Sequence, residues 1–242
     1  MEVLFIITIS FFATLIRSTF GFGESLIAVP FLILFLPVGV AVPLSVLLSI
    51  AIALAVVVQD HDKIHFHSAK WLILYAVPGI PVGLMLLLFG SEFWTKFILG
   101  LLIFCYALYA LLEKKQVRLK NDSRFWLFIC GFFSGVFGGA YGINGPPLVV
   151  YGKMRGWSAA HFRATLQAYF FIASTLSVAG YALKGLISRE VLTDFCYALP
   201  AALPAVFLGR YLNSRLSGDS FYTYIHVGLV LVGVFLLATL FW

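Results

Sequence analysis

The strongest constraint on this chain is the run Phe137-Gly138-Gly139-Ala140-Tyr141-Gly142-Ile143-Asn144-Gly145-Pro146-Pro147, set inside an apolar stretch from about Phe125 to Tyr151. Such backbone does not continue as a regular helix, because glycine is conformationally loose and each proline lacks an N–H. A helix broken at membrane depth leaves backbone groups unpaired, at considerable cost, unless they are buried in protein or line a cavity. The break is therefore either a packing device or a binding site.

Membrane depth is the right frame because 62% of the residues are apolar and only 11% are charged, against about 25% charged in a soluble domain. Long continuous apolar runs, without the two-residue alternation of a barrel, predict an all-α integral membrane protein. The net charge of +6 falls mostly in loops, where it orients a chain in a bilayer rather than marking a nucleic-acid surface. Cys105, Cys130 and Cys196 are isolated in apolar segments and read as packing. Met1-Glu2 gives no positive leader region and no small-residue cleavage site follows, so the first apolar run is expected to remain as structure.

That first run, from Val3 to Leu36, is itself interrupted at Arg17-Ser18-Thr19-Phe20-Gly21-Phe22-Gly23-Glu24-Ser25. Apolar segments follow at about 43–58, 71–89 and 95–112, and after the second break at about 164–183, 195–209 and 221–241. The halves match. Phe20-Gly21…Pro30 corresponds to Phe137-Gly138…Pro147 at an offset of 117; Pro78…Gly83 corresponds to Pro204…Gly209 at 126, and Gly100 to Gly228 at 128. Residues 1–118 and 119–242 thus form two repeats, each a broken segment followed by three transmembrane helices. Broken segments at corresponding positions of two halves are the pattern of secondary transporters.

Charge decides how the halves are related. If each broken segment crosses the membrane, the lysines and arginines divide nine against six, a weak bias. If each is a re-entrant hairpin, one side collects Lys63, Lys70, Lys114, Lys115, Arg118, Lys120, Arg124, Lys153, Arg155, Arg163, Arg210 and Arg215, and the other keeps only Lys96, Lys184 and Arg189. Twelve against three is a positive-inside signal. We therefore expect two inverted repeats, each a hairpin plus three spanning helices, with both termini outside. The stretch Trp126–Phe137 would supply a first arm of about 18 Å, half a bilayer.

Opposed tips would meet near the midplane, each presenting a helix N-terminus, which attracts anions through its free N–H groups. Pro146 and Pro147 suit the first turn of such an arm, with Asn144 as its cap. Gly21, Gly23, Gly138, Gly139, Gly142 and Gly145 would let a ligand approach the backbone; the competing reading is tight helix packing. Arg17, buried one turn before the first tip, pairs either with an anionic substrate or with Glu24. Glu24 is a candidate proton-coupling group or simply the partner of Arg17. Ser18, Thr19, Ser25, Tyr141, Asn144 and Gln167 complete the candidate substrate contacts.

His61, His65 and His67, with Asp60 and Asp62, have a spacing open to a metal, but in a polar loop they read as solvated. No nucleophile–base set, phosphate loop or cofactor motif is present, so neither an enzyme nor a cofactor is expected.

The paired breaks Phe20-Gly21-Phe22-Gly23…Pro30 and Phe137-Gly138-Gly139…Pro147, with Pro78…Gly83 and Pro204…Gly209, resemble the sulfite exporter TauE/SafE family of membrane permeases over essentially the whole chain. Phe22 and Glu24 stand where that family usually carries glycines. The resemblance implies transport of sulfite, organosulfonates or related small anions across a bacterial inner membrane. A small anion, the lipid bilayer and a coupling proton or cation are then the expected partners, with a homodimer left open. A passive anion channel is the alternative, and a metal enzyme built on the His61–His67 segment the lesser one.

Overall fold

A computed structural model describes residues 2–91 and 119–215, with isolated positions between 93 and 108 and at 234. Its described residues form helices joined by short turns, without strands. The segments expected at 95–112 and 221–241, the charged stretch 113–118 and the Gly100–Gly228 match lie largely outside the described residues.

Helices α1 (Glu2–Phe20) and α2 (Glu24–Leu32) flank the first break. Gly21 and Gly23 there have φ of 86° and 100°, a region closed to most side chains. The chain reverses, and Phe35, just past α2, stacks on Phe5 near the start of α1 with ring centroids 4.9 Å apart. The second break is built likewise between α6 (Arg124–Tyr141) and α7 (Gly145–Arg155). The N–H groups of Gly142 and Ile143 return to the carbonyls of Gly138 and Phe137 and close α6. Pro146 and Pro147 fall in the first turn of α7, where a missing N–H costs nothing. Arg155 at the end of α7 reaches Asp122 and the carbonyls of Leu119 and Lys120, just before α6 begins.

The first arms are longer than the half-span read from Trp126–Phe137. They have 19 and 18 residues, about 28 and 27 Å of helix. Helix α6 runs on through Gly138 and Gly139 because these positions are packed. A side chain at Gly139 would meet the Ile80 carbonyl of α5, and one at Gly83 would meet the Val136 carbonyl of α6. In the other half, Gly209 of α9 (Arg189–Arg215) sits on Ser18 and the Leu15 carbonyl of α1. Helix α5 thus packs on α6, the arm that leads into the second break, and α9 on α1, the arm that leads into the first.

Helices α3 (Val38–Asp60) and α8 (Ala159–Leu183) pair at the centre and run antiparallel. Asp60 faces Arg163 at 3.8 Å, Ser49 bonds Ser174 at 3.1 Å, and Gly39 lies beside Leu186. The segment read as a single run over 71–89 is two helices, α4 (Phe66–Ala76) and α5 (Gly79–Phe89), bent by 44° where Pro78 interrupts the backbone ladder. Helix α9, which carries the proline matched to Pro78 in the sequence, continues through Pro200 and Pro204. Five described helices are long and apolar enough to cross a membrane, or six if the bent pair counts as one span. Large apolar side chains such as Phe89, Leu183 and Phe207 cover their outward faces, as lipid contact requires.

Candidate functional site

The two breaks meet. Gly23, Glu24, Ser25 and Leu26 from the first, and Gly142, Ile143, Asn144 and Gly145 from the second, line one cavity with Arg17, Ser49 and Phe170. Its volume is about 20 Å³, room for a single water-sized group. The tips touch around it, Gly142 packing on Val46 and Ser25 and Gly145 on the ring of Phe22.

Arg17 dominates the cavity electrostatically and is only 3% exposed. Its guanidinium lies 4.8 Å from the centre of the Phe170 ring, a cation–π contact. All five N–H groups are engaged. Nε and Nη2 donate to Gln167 Oε1 at 3.2 and 2.8 Å, Nη1 to Ser49 Oγ at 2.7 Å and Glu24 Oε2 at 3.3 Å, and Nη2 also to the Ser49 carbonyl at 3.3 Å. Glu24, 1% exposed, accepts further bonds from Ser25 at 3.0 Å and Ser45 at 2.8 Å. A buried ion pair survives only when both partners are so satisfied. Glu24 also opens α2, so that N-terminus already carries its own anion.

The second N-terminus differs from the sequence expectation. Asn144 makes no side-chain cap; its Oδ1 fills the space a Cβ on Gly138 would need, and its carbonyl accepts from Ser134 at 2.6 Å. Of the first four positions of α7, Pro146 and Pro147 lack an N–H, leaving Gly145 and Leu148 to present one.

Over residues 6–236 the chain matches the family model described as "Sulfite exporter TauE/SafE". The chain belongs to the sulfite exporter TauE/SafE family. A protein of Cupriavidus necator named probable sulfite/organosulfonate exporter TauE is 27% identical over 138 residues, 55% of this chain and 53% of that protein. The alignment thus spans about half the length of each. No solved structure matches.

Within this TauE/SafE chain the expected site residues divide. Arg17, Gly23, Glu24, Ser25, Gly142, Asn144 and Gly145 are in the cavity wall. Gly21, Ser18, Thr19, Gly138, Gly139, Tyr141 and Gln167 are not among the residues that line it. Gly21 lies against the backbone of Arg163, and Ser18 faces Gly209. Thr19 bonds back to the Leu15 carbonyl, and its own carbonyl accepts from Asn213 at 2.6 Å. The carbonyls of Gly138 and Gly139 accept from the Tyr181 hydroxyl at 3.2 and 2.9 Å. Gln167 acts through Arg17, holding it with Oε1 while Nε2 donates to the Gly21 carbonyl at 2.8 Å.

Ser45, Ser49 and Phe170 were not read from the sequence. The signal was two serines four apart in an otherwise apolar helix, hence on one face.

At the base of the second hairpin, Asp122 collects Arg155 Nε at 2.7 Å, the Tyr151 hydroxyl at 2.7 Å and the Ser68 hydroxyl at 3.0 Å. Burial alone would raise this carboxyl, but the bonds from Tyr151 and Ser68 and the Arg155 charge outweigh it and hold it below the usual range. His65 stacks on Trp157 and lies 4.7 Å from His161; burial and the His161 and Arg155 charges lower its pKa against the pull of Asp122. His67 turns to Asp122 at 3.8 Å, whereas Asp60 pairs with Lys63 at 2.9 Å. The His/Asp cluster therefore does not converge, and among the described residues no three His, Cys, Asp or Glu side chains are arranged to hold a metal.

Proposed function

We propose that this protein is a secondary transporter for a small sulfur oxyanion, sulfite or an organosulfonate, with alternating access around the cavity between its two helix breaks. The observation that carries the reading is the meeting of both breaks at one buried Arg17–Glu24 pair. Family membership suggests the substrate class, as does the name of the Cupriavidus necator relative.

The same reading takes the halves, 1–118 and 119–242, as inverted repeats and the broken segments as re-entrant hairpins. Support comes from the antiparallel α3–α8 pair and from the return of Phe35 to Phe5 and of Arg155 to Asp122. Lys63, Arg155, Arg163 and Arg210 gather at the end where α3 finishes and α4 starts. We assign that end to the cytoplasmic face of a bacterial inner membrane, with the N-terminus outside.

Glu24 and the substrate are competitors for Arg17. While Glu24 is ionised, every Arg17 donor is occupied. A proton on Glu24 removes the charge that holds Nη1 and frees that donor for a substrate oxygen, so one proton accompanies one anion. Gln167 and Ser49 keep the guanidinium in place during the exchange. A sulfonate exceeds the space for one water, so binding requires the tips to part. Such parting favours a carrier over an open channel.

The test is sulfite flux into proteoliposomes with an imposed proton gradient. Glu24→Gln should still move sulfite while losing dependence on the gradient, and Arg17→Gln should lose flux. Wild-type flux through a folded Arg17→Gln protein would refute the assignment.

A further inference from the structure

We propose that Arg163, Arg210 and Lys63 form a second oxyanion-binding site at the Asp60 end of α3, about two turns of α8 from Phe170 in the wall of the central cavity. Asp60 ends α3, is 6% exposed, and is the carboxylate towards which all three cations point. Lys63 Nζ lies 2.9 Å from it, Arg163 Nη1 and Arg210 Nη2 each 3.8 Å. Among the described residues, one negative charge against three positive ones leaves the cluster short of anion.

Arg163 shows the shortage atom by atom. It is 5% exposed, yet its Nε and Nη2 have no hydrogen-bond partner among the described residues. Arg17, equally buried, uses all five of its N–H groups. A buried guanidinium with unmet donors is costly. Nε–H and one Nη2–H diverge from the same edge of the plane, the fork that takes two oxygens of one oxyanion. The ligand class is a compact oxyanion with at least two oxygens on one centre.

The location suits a step on a path. On one side the Lys63 and Arg210 side chains are 42% and 48% exposed, so the cluster opens to the surface. On the other, the Arg163 backbone rests on Gly21 of the first break, with its Cα 3.2 Å from where a Cβ would sit. Gln167, four residues on, binds both Gly21 and Arg17, about 6 Å further along the helix axis. The exposed pair draws an anion in, Arg163 takes it from them, and Arg17 lies next. The site itself stands on the Arg163 geometry; only this last step rests on the transport reading above.

Titration calorimetry of sulfite into detergent-purified full-length protein at low ionic strength, under nitrogen, tests it. Two binding sites are expected for the wild type. Arg210→Gln, a partly exposed change, should weaken one of them by about two- to fivefold and leave the other untouched. Arg163→Gln should abolish that same site, and Arg163→Lys, which keeps a cation but not the fork, should weaken it. Arg17→Gln should remove only the other site. One site, indifferent to Arg163→Gln and Arg210→Gln, would overturn this proposal and leave the central one standing. One site lost in Arg163→Gln but kept in Arg17→Gln would support this proposal and count against the transport site. No binding in any protein would overturn both.

Discussion

The hydroxyls of Ser49 and Ser174 meet at 3.1 Å where α3 and α8 cross. These residues are 125 apart in the chain, between the offsets of 117 and 126 that align the two halves. Moving outward by equal steps in opposite directions reaches Asp60 and Arg163, which also face each other. The two helices therefore run antiparallel about this crossing, an arrangement that agrees with the proposed axis in the membrane plane.

Ser49 should matter more than Ser174 to stability. Ser49 accepts from Arg17 Nη1 at 2.7 Å, so Ser49→Ala strands a charged donor and should cost about 1.5–3 kcal/mol. Ser174→Ala loses one neutral bond, about 0.5–1.5 kcal/mol. Denaturation of the two single variants and the double variant in detergent checks this. Because Ser49 belongs to both bonds, the double variant should cost less than the sum.

Gly83→Ala and Gly139→Ala should destabilise the α5–α6 contact, since each added methyl meets backbone carbonyl or amide rather than a movable side chain. Overpacking of this kind costs about 1–3 kcal/mol. Gly156 has φ of 63° but nothing among the described residues within 4 Å of an added Cβ, so Gly156→Ala should cost only conformational strain, about 1 kcal/mol. Thermal unfolding of the three variants should rank them in that order; equal losses would mean that close helix approach is not what Gly83 and Gly139 provide.

Asp122→Asn should lower stability at neutral pH and flatten its acid limb. The folded carboxyl titrates below its unfolded value of about 3.9, held there by Tyr151, Ser68 and Arg155. Its contribution is then fully present above that unfolded value and is lost as pH falls through the folded one. Unfolding measured from pH 7 downwards should show wild type and Asp122→Asn converging in acid. Parallel curves would mean that Asp122 carries no such linkage.

Glu24→Ala should be worse than Glu24→Gln for folding, because Gln keeps one acceptor oxygen, for Ser45 or for Arg17, where the two carboxylate oxygens serve both. Loss of one partner from a buried pair costs about 3–5 kcal/mol, and the amide should recover part of it. Comparison of expression and unfolding midpoints decides the point.

Much of this fold was legible because glycine and proline act locally. Gly21, Gly23 and Gly142 stop helices by their own backbone, and Pro146 begins one. The cost of charge in an apolar segment singled out Arg17, but left an anionic substrate and Glu24 as alternative partners. What could not be read was tertiary. Whether a helix ends at a glycine or slides past another through it depends on the neighbour, so Gly138 and Gly139 were placed at a tip although they lie inside α6. Pro78 and Pro204 look alike in sequence, yet only the first interrupts its helix. Ser45 and Ser49 gained meaning only when α3 was laid against the breaks.

Helix α8 is tied by side-chain bonds to backbone at both breaks' approaches, through Gln167 at Gly21 of the first and through Tyr181 at Gly138 and Gly139 in the last turn of α6, which leads into the second. Fourteen residues separate the two grips, about 21 Å of rigid rod. The loops are thereby geared to one shaft. Neither can be repositioned alone without releasing a grip, and a rotation or slide of α8 is delivered to both at once.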